Sequence, residues 1–295
     1  MEEIKVFLPQ RNRQNIIGGG WTFNRNIQEG LLGKVFFTDN INECDIVLIS
    51  GPTMLQKDEG ELAKSLGKKI ILRVDNVPLP SRNRGGGFSH LIKFAKLADK
   101  IVYQSNWAME YISYWLDDNK DSNDDKNMII YNGVDTDIFK KEGPRIPTNG
   151  KTIYLFDAHS SNETKRFYEA RYWYQWELRV NEDSEFWIVG ESKNVMELKQ
   201  YNFDFVDPKA VVRCLGTIED PWEMARIYRT ADYLIFPSFA DACPNSVLEA
   251  MACGCEIINT NPEGGTNELL EPHFDYSLER MADEYFELFN ELIKK

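Results

Sequence analysis

The sequence predicts an α/β protein built from two doubly wound, Rossmann-like parallel-sheet domains facing an interdomain cleft. Two observations predict it. Short apolar runs recur between longer helical patterns, and continuous apolar strands that alternate with helices are the mark of parallel sheets covered on both faces. The rhythm also occurs twice, on either side of a polar stretch rich in Pro and Gly. The chain has 295 residues, and roughly 100–200 residues make one domain.

In the first series the strand candidates are Lys5-Val6-Phe7-Leu8, Val35-Phe36-Phe37, Ile46 to Ile49, Lys69 to Val74, Ile101-Val102-Tyr103 and Met128 to Tyr131. A helical stretch from Thr22 to Leu32 follows the first of them. The second series offers Thr152 to Phe156, Phe186 to Val189, Val211 to Leu215, Tyr233 to Phe236 and Glu256 to Ile258. A helix over 167–178 places Phe167, Ala170, Tyr174 and Leu178 on one face, so its aromatic residues read as packing against the sheet, not as a stacking platform. Between the series, Lys140 to Lys151 carries two Pro and two Gly in a dozen residues, which discourage helix and strand alike. Taken as the linker, it sets domains at 1–143 and 151–295, with a C-terminal helix able to pack back on the first. Ligands of such folds sit outside the carboxyl ends of the strands, so functional residues should follow strands.

Composition excludes several function classes. Hydrophobic residues at 42% and charged residues at 27% rule out wholesale disorder. With 34 Lys and Arg against 47 Asp and Glu, the net charge of -13 disfavours nucleic acid or anionic lipid as the main partner. At most a weak peripheral membrane contact is expected. No apolar run approaches the roughly 18 residues a membrane span needs, and Met-Glu-Glu-Ile-Lys at the N-terminus begins a strand where a signal peptide would be basic and then apolar. The expected location is the cytoplasm.

A metal site is not expected. Five Cys, at 44, 214, 243, 253 and 255, are odd in number and scattered through apolar stretches, which points to buried, reduced thiols. Cys253 and Cys255 have no His nearby to complete a zinc site. The acidic stretch Asp117 to Lys126 lacks the central Gly and terminal Glu of a calcium loop and reads as solvated. Asp39 with Asp45, and Asp135 with Asp137, are the nearest imitations of a D-x-D metal motif; the second belongs to the stretch that closes the first domain. His90 and His273 show no partner at catalytic spacing.

The segment Phe236 to Gly254, F-P-S-F-A-D-A-C-P-N-S-V-L-E-A-M-A-C-G, carries the strongest chemical signal. A strand ends at Pro237-Ser238, a loop presents Asp241, and Pro244-Asn245-Ser246 opens a helix that carries Glu249. Backbone N–H groups at a helix N-terminus suit a diphosphate, and the two carboxylates can accept hydrogen bonds from sugar hydroxyls. Upstream, Gly18-Gly19-Gly20 follows the first strand and lets backbone approach a ligand. It is neither a dinucleotide fingerprint nor a phosphate loop ending in G-K-[ST], so hydride transfer and nucleotide hydrolysis lose support. After the strand Ile70 to Val74, the loop Asp75 to Gly87 holds Asp75, Asn76, Arg82 and Arg84, which suit phosphate or a polyhydroxylated acceptor.

The segment resembles the E-x7-E region of retaining GT-B glycosyltransferases of family 4 (glycosyl transferases group 1), here standing as Asp241, Pro244, Leu248-Glu249-Ala250-Met251-Ala252 and Gly254. Further matches follow in the family's order: Gly18 to Gly20, Tyr103-Gln104-Ser105-Asn106-Trp107, Tyr131-Asn132-Gly133-Val134-Asp135 with Phe139, Leu215-Gly216, Ala231-Asp232, Phe236-Pro237-Ser238, and Gly264-Gly265 before Glu268-Leu269. The resemblance implies that Glu249 binds the donor ribose hydroxyls and that Asp241, in place of the usual Glu, contacts the transferred sugar. Lys165 occupies the family's Lys position on the leaving phosphate. His159 or a neighbouring Ser falls where an Arg would stand, with Arg166 as its substitute. Asp75 stands roughly where relatives place a His on the donor sugar.

The same resemblance implies that Gly18, Gly19 and Gly20 close over the donor phosphate, with Pro244, Asn245 and Ser246 beneath it. Base recognition is expected from backbone groups near Arg213-Cys214-Leu215. Asn76, Arg82 and Arg84 belong to the acceptor side. The implied reaction is metal-independent hexosyl transfer with retention of configuration, from a UDP- or GDP-sugar, with no further cofactor. The acceptor is a sugar, a lipid-linked sugar, a protein or a small molecule. Two alternatives share the donor: a sugar-nucleotide 2-epimerase, and a non-catalytic nucleotide-sugar-binding protein.

Overall fold

A computed structural model describes residues 3–9, 19–75, 87–116, 125–157, 163–190 and 209–294. Tertiary contacts divide the chain into two units, Met1–Gly133 with Glu268–Lys295, and Val134–Asn267.

The first unit runs β1 (Lys5–Phe7), α1 (Gly19–Gly30), β2 (Phe36–Thr38), β3 (Ile46–Ile49), α2 (Lys57–Ser65), β4 (Lys69–Val74), α3 (Gly87–Leu97), β5 (Lys100–Tyr103), α4 (Asn106–Leu116) and β6 (Asn127–Ile129). Its six strands form one sheet in the order β2-β1-β3-β4-β5-β6, with every pairing parallel. The central strands are apolar because both faces are covered: Ile46 to Ile49 and Ile70 to Leu72 have no exposure. The chain's last helix, which becomes α9 below, also belongs to this unit. It spans Leu278–Lys294 and buries Met281, Ala282, Tyr285, Leu288, Phe289 and Leu292 at helical spacing. These pack in one cluster with Val6, Leu8, Phe23, Ile27 and Leu31. At Gly30 a Cβ would stand 2.7 Å from the Ala282 Cβ, so glycine is what lets α1 lie close to the last helix.

The second unit continues with β7 (Thr152–Asp157), a 3-10 turn (Glu163–Lys165), α5 (Phe167–Val180), β8 (Ser184–Val189), β9 (Val212–Gly216), α6 (Pro221–Thr230), β10 (Tyr233–Ile235), α7 (Asn245–Ala252) and β11 (Glu256–Ile258). A one-turn helix, α8 (Thr266–Leu269), and then α9 complete the chain. The order β11-β10-β7-β8-β9 is again wholly parallel. On α5, Phe167, Ala170, Tyr174 and Leu178 are buried, as their spacing predicts, while Tyr168, Tyr172 and Trp176 line the exposed side.

Three local differences from the sequence expectation have physical causes. Helix α1 already includes Gly19 and Gly20, ahead of the expected Thr22, and a Cβ on Gly20 would meet Met54 Cε at 3.1 Å. Strand β6 stops at Ile129, where its pairing with Tyr103 of β5 ends. The stretch 140–151 has neither helix nor strand, but it is held to α6. The Arg229 guanidinium donates to the carbonyls of Pro144, Ile138 and Lys140, and the Ile146 N–H donates to Thr230. Cys44, Cys243, Cys253 and Cys255 are buried, Cys214 is half-buried, and all five are free thiols. Burial pushes the Cys253 thiol up to about 12 and that of Cys255 higher still. Among the described residues, no helix is long and apolar enough to cross a membrane, and no group of three or more His, Cys, Asp or Glu is placed to hold a metal.

Candidate functional site

A doubly wound sheet binds ligands where its winding reverses, outside the carboxyl ends of its strands. In the second unit that point lies at β7, whose neighbours are β8 on one side and β10 on the other. The residues leaving these strands meet. Lys165, in the turn after β7, places its Nζ 3.1 Å from Oδ2 of Asp241, in the loop after β10. The Ser238 hydroxyl donates to the same oxygen at 3.0 Å, and the Lys165 ammonium lies 5.1 Å from the Phe236 ring centroid. Both side chains of the ion pair are about one-fifth exposed, at 20% and 19%. Water therefore screens them less than a surface pair.

The loop that presents Asp241 is fixed through its backbone. Phe239 N–H donates to the Thr164 carbonyl at 2.8 Å, Ala240 N–H to Glu263 at 2.6 Å, and Gly265 N–H to the Asp241 carbonyl at 2.8 Å. Ala240 takes a left-handed φ of 54° to make this turn, a conformation a non-glycine residue adopts only under constraint. At Gly264 a Cβ would meet the Asp241 carbonyl oxygen at 3.0 Å and its nitrogen at 3.2 Å. Glycine is what allows the two loops to touch.

Helix α7 begins directly after this loop. Pro244 is its N-cap, with no side-chain cap bond, and the first turn carries no acidic residue. The positive end of the helix is therefore not neutralised from within the helix. The Pro244 carbonyl accepts the N–H groups of Val247 and Leu248. Asn245 and Ser246 are half-buried at the opening. Glu249, one turn in, is half-buried, while Leu248 and Ala250 are buried against the sheet. Behind it, burial together with the negative charges of Asp157 and Glu249 holds the Tyr228 phenol well above its usual value. Tyr228 is thus neutral, and Asp157 and Glu249 share its neighbourhood.

Arg166 stands apart from this cluster. Its backbone is left-handed, with φ 53°, which turns the side chain onto α5, where Nε pairs with Glu169 at 2.9 Å. The Lys165–Asp241 pair is made without it. Cys214, on the edge strand β9, pairs in register with Ile188 and packs on the apolar cluster beneath α5.

In the first unit the winding reverses at β1, between β2 and β3. Asp75, just past β4, lies against two glycine backbones: a Cβ on Gly51 would stand 2.5 Å from its Oδ2, and one on Gly20 at 3.7 Å. The structure therefore brings Gly20 and Asp75 together, with Gly19 beside them at the start of α1. Gly18, Asn76, Arg82, Arg84 and His159 lie outside the described residues.

Beneath Asp75 is an arrangement that the sequence motifs contain but do not explain. Arg73, 2% exposed, donates to the Ser50 carbonyl at 2.9 Å, to Gln104 Oε1 at 2.8 Å and to Asn132 Oδ1 at 3.0 Å. Its guanidinium carbon sits 3.9 Å from the Phe23 ring centroid. Gln104 in turn donates to the Val74 carbonyl, and Asn132 to Gln104. Glu268 caps α4 by accepting the N–H groups of Asn106 at 2.8 Å and Trp107 at 2.7 Å, and it also accepts the Tyr131 hydroxyl at 2.6 Å. A lone Arg inside the apolar run K-I-I-L-R-V is the signal by which Arg73 is found.

Residues 173–294 match the family model described as Glycosyl transferases group 1. No curated protein matches. Among solved structures, the chain is similar to HepE of Anabaena in complex with UDP-glucose, at 13% identity and a TM-score of 0.66, with 99% of this chain and 90% of that one covered. It is similar to sucrose-phosphate synthase of Thermosynechococcus elongatus at 13% identity and a TM-score of 0.67, covering 99% and 100%. The lipopolysaccharide outer core galactosyltransferase WaaB, in its apo form, aligns at 14% identity and 0.58, covering 98% and 90%. The chain has the GT-B fold, and its residues 173–294 carry the glycosyl transferases group 1 signature.

Proposed function

We propose that the protein is a retaining, metal-independent hexosyltransferase of the cytoplasm that uses a nucleotide-sugar donor. The observation that carries the proposal is the Lys165–Asp241 pair at the winding point of the second sheet, beside the α7 N-terminus and Glu249. In this proposal the α7 N–H groups at Asn245 and Ser246, with Lys165, hold the diphosphate and take up the charge that develops as the sugar–phosphate bond breaks. Glu249 accepts the ribose hydroxyls and Asp241 the sugar hydroxyls. Gly18, Gly19, Gly20 and Asp75 complete the donor side, Cys214 lies with the base-contacting backbone, and Asn76, Arg82 and Arg84 serve the acceptor. The GT-B neighbour that holds UDP-glucose supports a UDP-sugar as donor.

Incubation with labelled UDP-glucose, UDP-galactose, UDP-N-acetylglucosamine and GDP-mannose tests the proposal. Slow release of nucleoside diphosphate without acceptor supports a transferase, and an altered sugar identifies an epimerase. Arg166, engaged by Glu169 instead of joining Lys165, is the observation that favours a non-catalytic nucleotide-sugar-binding protein; binding of these donors without turnover would establish that reading. Failure of all four donors to bind would sink the site assignment.

A further inference from the structure

We infer that Asp241 is the counter-ion of the phosphate-binding lysine and thereby discriminates the intact donor from the nucleoside diphosphate product. The inference rests on the donor-site proposal above. The Asp241 carboxylate engages Lys165 at 3.1 Å and is fixed in that direction by Ser238, which donates to the same oxygen at 3.0 Å. The backbone cannot retreat. Gly265 N–H holds the Asp241 carbonyl, Ala240 N–H is bound to Glu263, and the Gly264 backbone lies so close to Asp241 that a Cβ there would stand 3.0 Å from its carbonyl oxygen.

An anion that binds Lys165 must therefore compete with a carboxylate that cannot move far. A nucleotide sugar is compensated, because its hydroxyls donate to Asp241 while its diphosphate takes over the ammonium. A free nucleoside diphosphate takes the ammonium from Asp241 and offers it no hydroxyl in return. The Phe236 ring, 5.1 Å from the ammonium, keeps Lys165 in place when the carboxylate lets go. Asp241 thus lowers affinity for product more than affinity for donor, which favours product departure.

Calorimetric titration of the full chain with UDP and with UDP-glucose tests this. Asp241→Asn keeps the shape and removes the charge. It is expected to tighten UDP about tenfold and to weaken UDP-glucose relative to UDP. On a Lys165→Ala background the same substitution should leave UDP affinity unchanged within about twofold, since the competing pair is already gone. Loss of packing alone would only weaken binding, so tightening separates the two explanations. Asp241→Ser, with the same expected sign, serves as a second variant if the first does not fold by circular dichroism. Equal or weaker UDP binding by the folded variants, or equal tightening without Lys165, overturns the inference. UDP binding to the parent chain without tightening in the variants sinks this inference alone; a parent chain that binds GDP and not UDP is titrated with GDP and GDP-mannose to the same criteria, and one that binds neither diphosphate sinks the donor-site proposal with it.

Discussion

The carboxyl ends of the two sheets solve one electrostatic problem in opposite ways. In the first unit, the cation Arg73 is 2% exposed and is held by neutral oxygens of Ser50, Gln104 and Asn132 and by the face of Phe23. In the second, Lys165 is one-fifth exposed and faces a carboxylate. A guanidinium has five donors in a fixed fork and locks several strand ends together. An ammonium on a flexible stem that faces a carboxylate is suited to exchange that partner for another anion. One fold thus carries a cation locked by neutral acceptors in one unit and a cation paired with a carboxylate in the other.

The comparison breaks most visibly at Arg73. Arg73→Met removes the guanidinium from three buried acceptors, of which Gln104 Oε1 keeps the Asn132 amide, and is expected to cost about 3–5 kcal/mol, read by urea denaturation of the chain. Lys165→Ala, by contrast, should change stability by roughly 1 kcal/mol or less, so comparable losses in the two variants would erase the distinction. Next in size is Glu249→Ala. It is expected to weaken UDP-glucose binding by about 30-fold, roughly 2 kcal/mol for lost charge-assisted hydrogen bonds, with the melting temperature little changed because Glu249 is half-exposed. Retained tight binding in calorimetry would remove Glu249 from the donor site.

Smaller effects sharpen the contrast. Glu268→Ala removes the cap of α4 and is expected to cost about 1–2 kcal/mol, measured by thermal melting, without altering UDP binding. The smallest concerns Glu185 of β8, at the amino end of the second sheet and far from its winding point along the strand. Burial pushes its carboxyl up, but the Trp187 indole N–H, Lys151 and Arg213 outweigh that and hold it below the usual glutamate value. A lowered folded pKa means that the stabilisation is present above the unfolded value, about 4.3, and is lost as pH falls through the folded one. The stability difference between the parent chain and Glu185→Gln should therefore shrink on acidification below about pH 4. A difference constant down to pH 3 would show that Glu185 is not stabilised as a carboxylate.

Strands were legible where both faces are buried, because such strands read as unbroken apolar runs: Ile46–Ile49 and Lys69–Val74 have the limits the sequence predicts. The glycines inside α1 were less legible, since a glycine reads as a turn until its neighbour, here Met54, is seen to need the space. Around the candidate site, Asp241, Glu249 and Lys165 stand out through spacing and resemblance. The turn of Arg166 toward Glu169 did not, because it depends on a left-handed backbone that sequence does not display. Glu268 is separated from Asn106 by 162 residues, and nothing local announces that one caps the helix of the other.

The first unit is assembled from both ends of the sequence, with Met281, Ala282, Tyr285, Leu288, Phe289 and Leu292 of α9 completing the cluster that holds Val6, Phe23 and Ile27. The second unit is one continuous segment. During synthesis, the part of this unit made before the second unit must wait for the part made after it. Val6, Phe23 and Ile27 stay without their α9 cover until residue 292 has left the ribosome, so the middle of the chain is able to fold before its beginning, reversing the N-terminal-first order that domains generally follow.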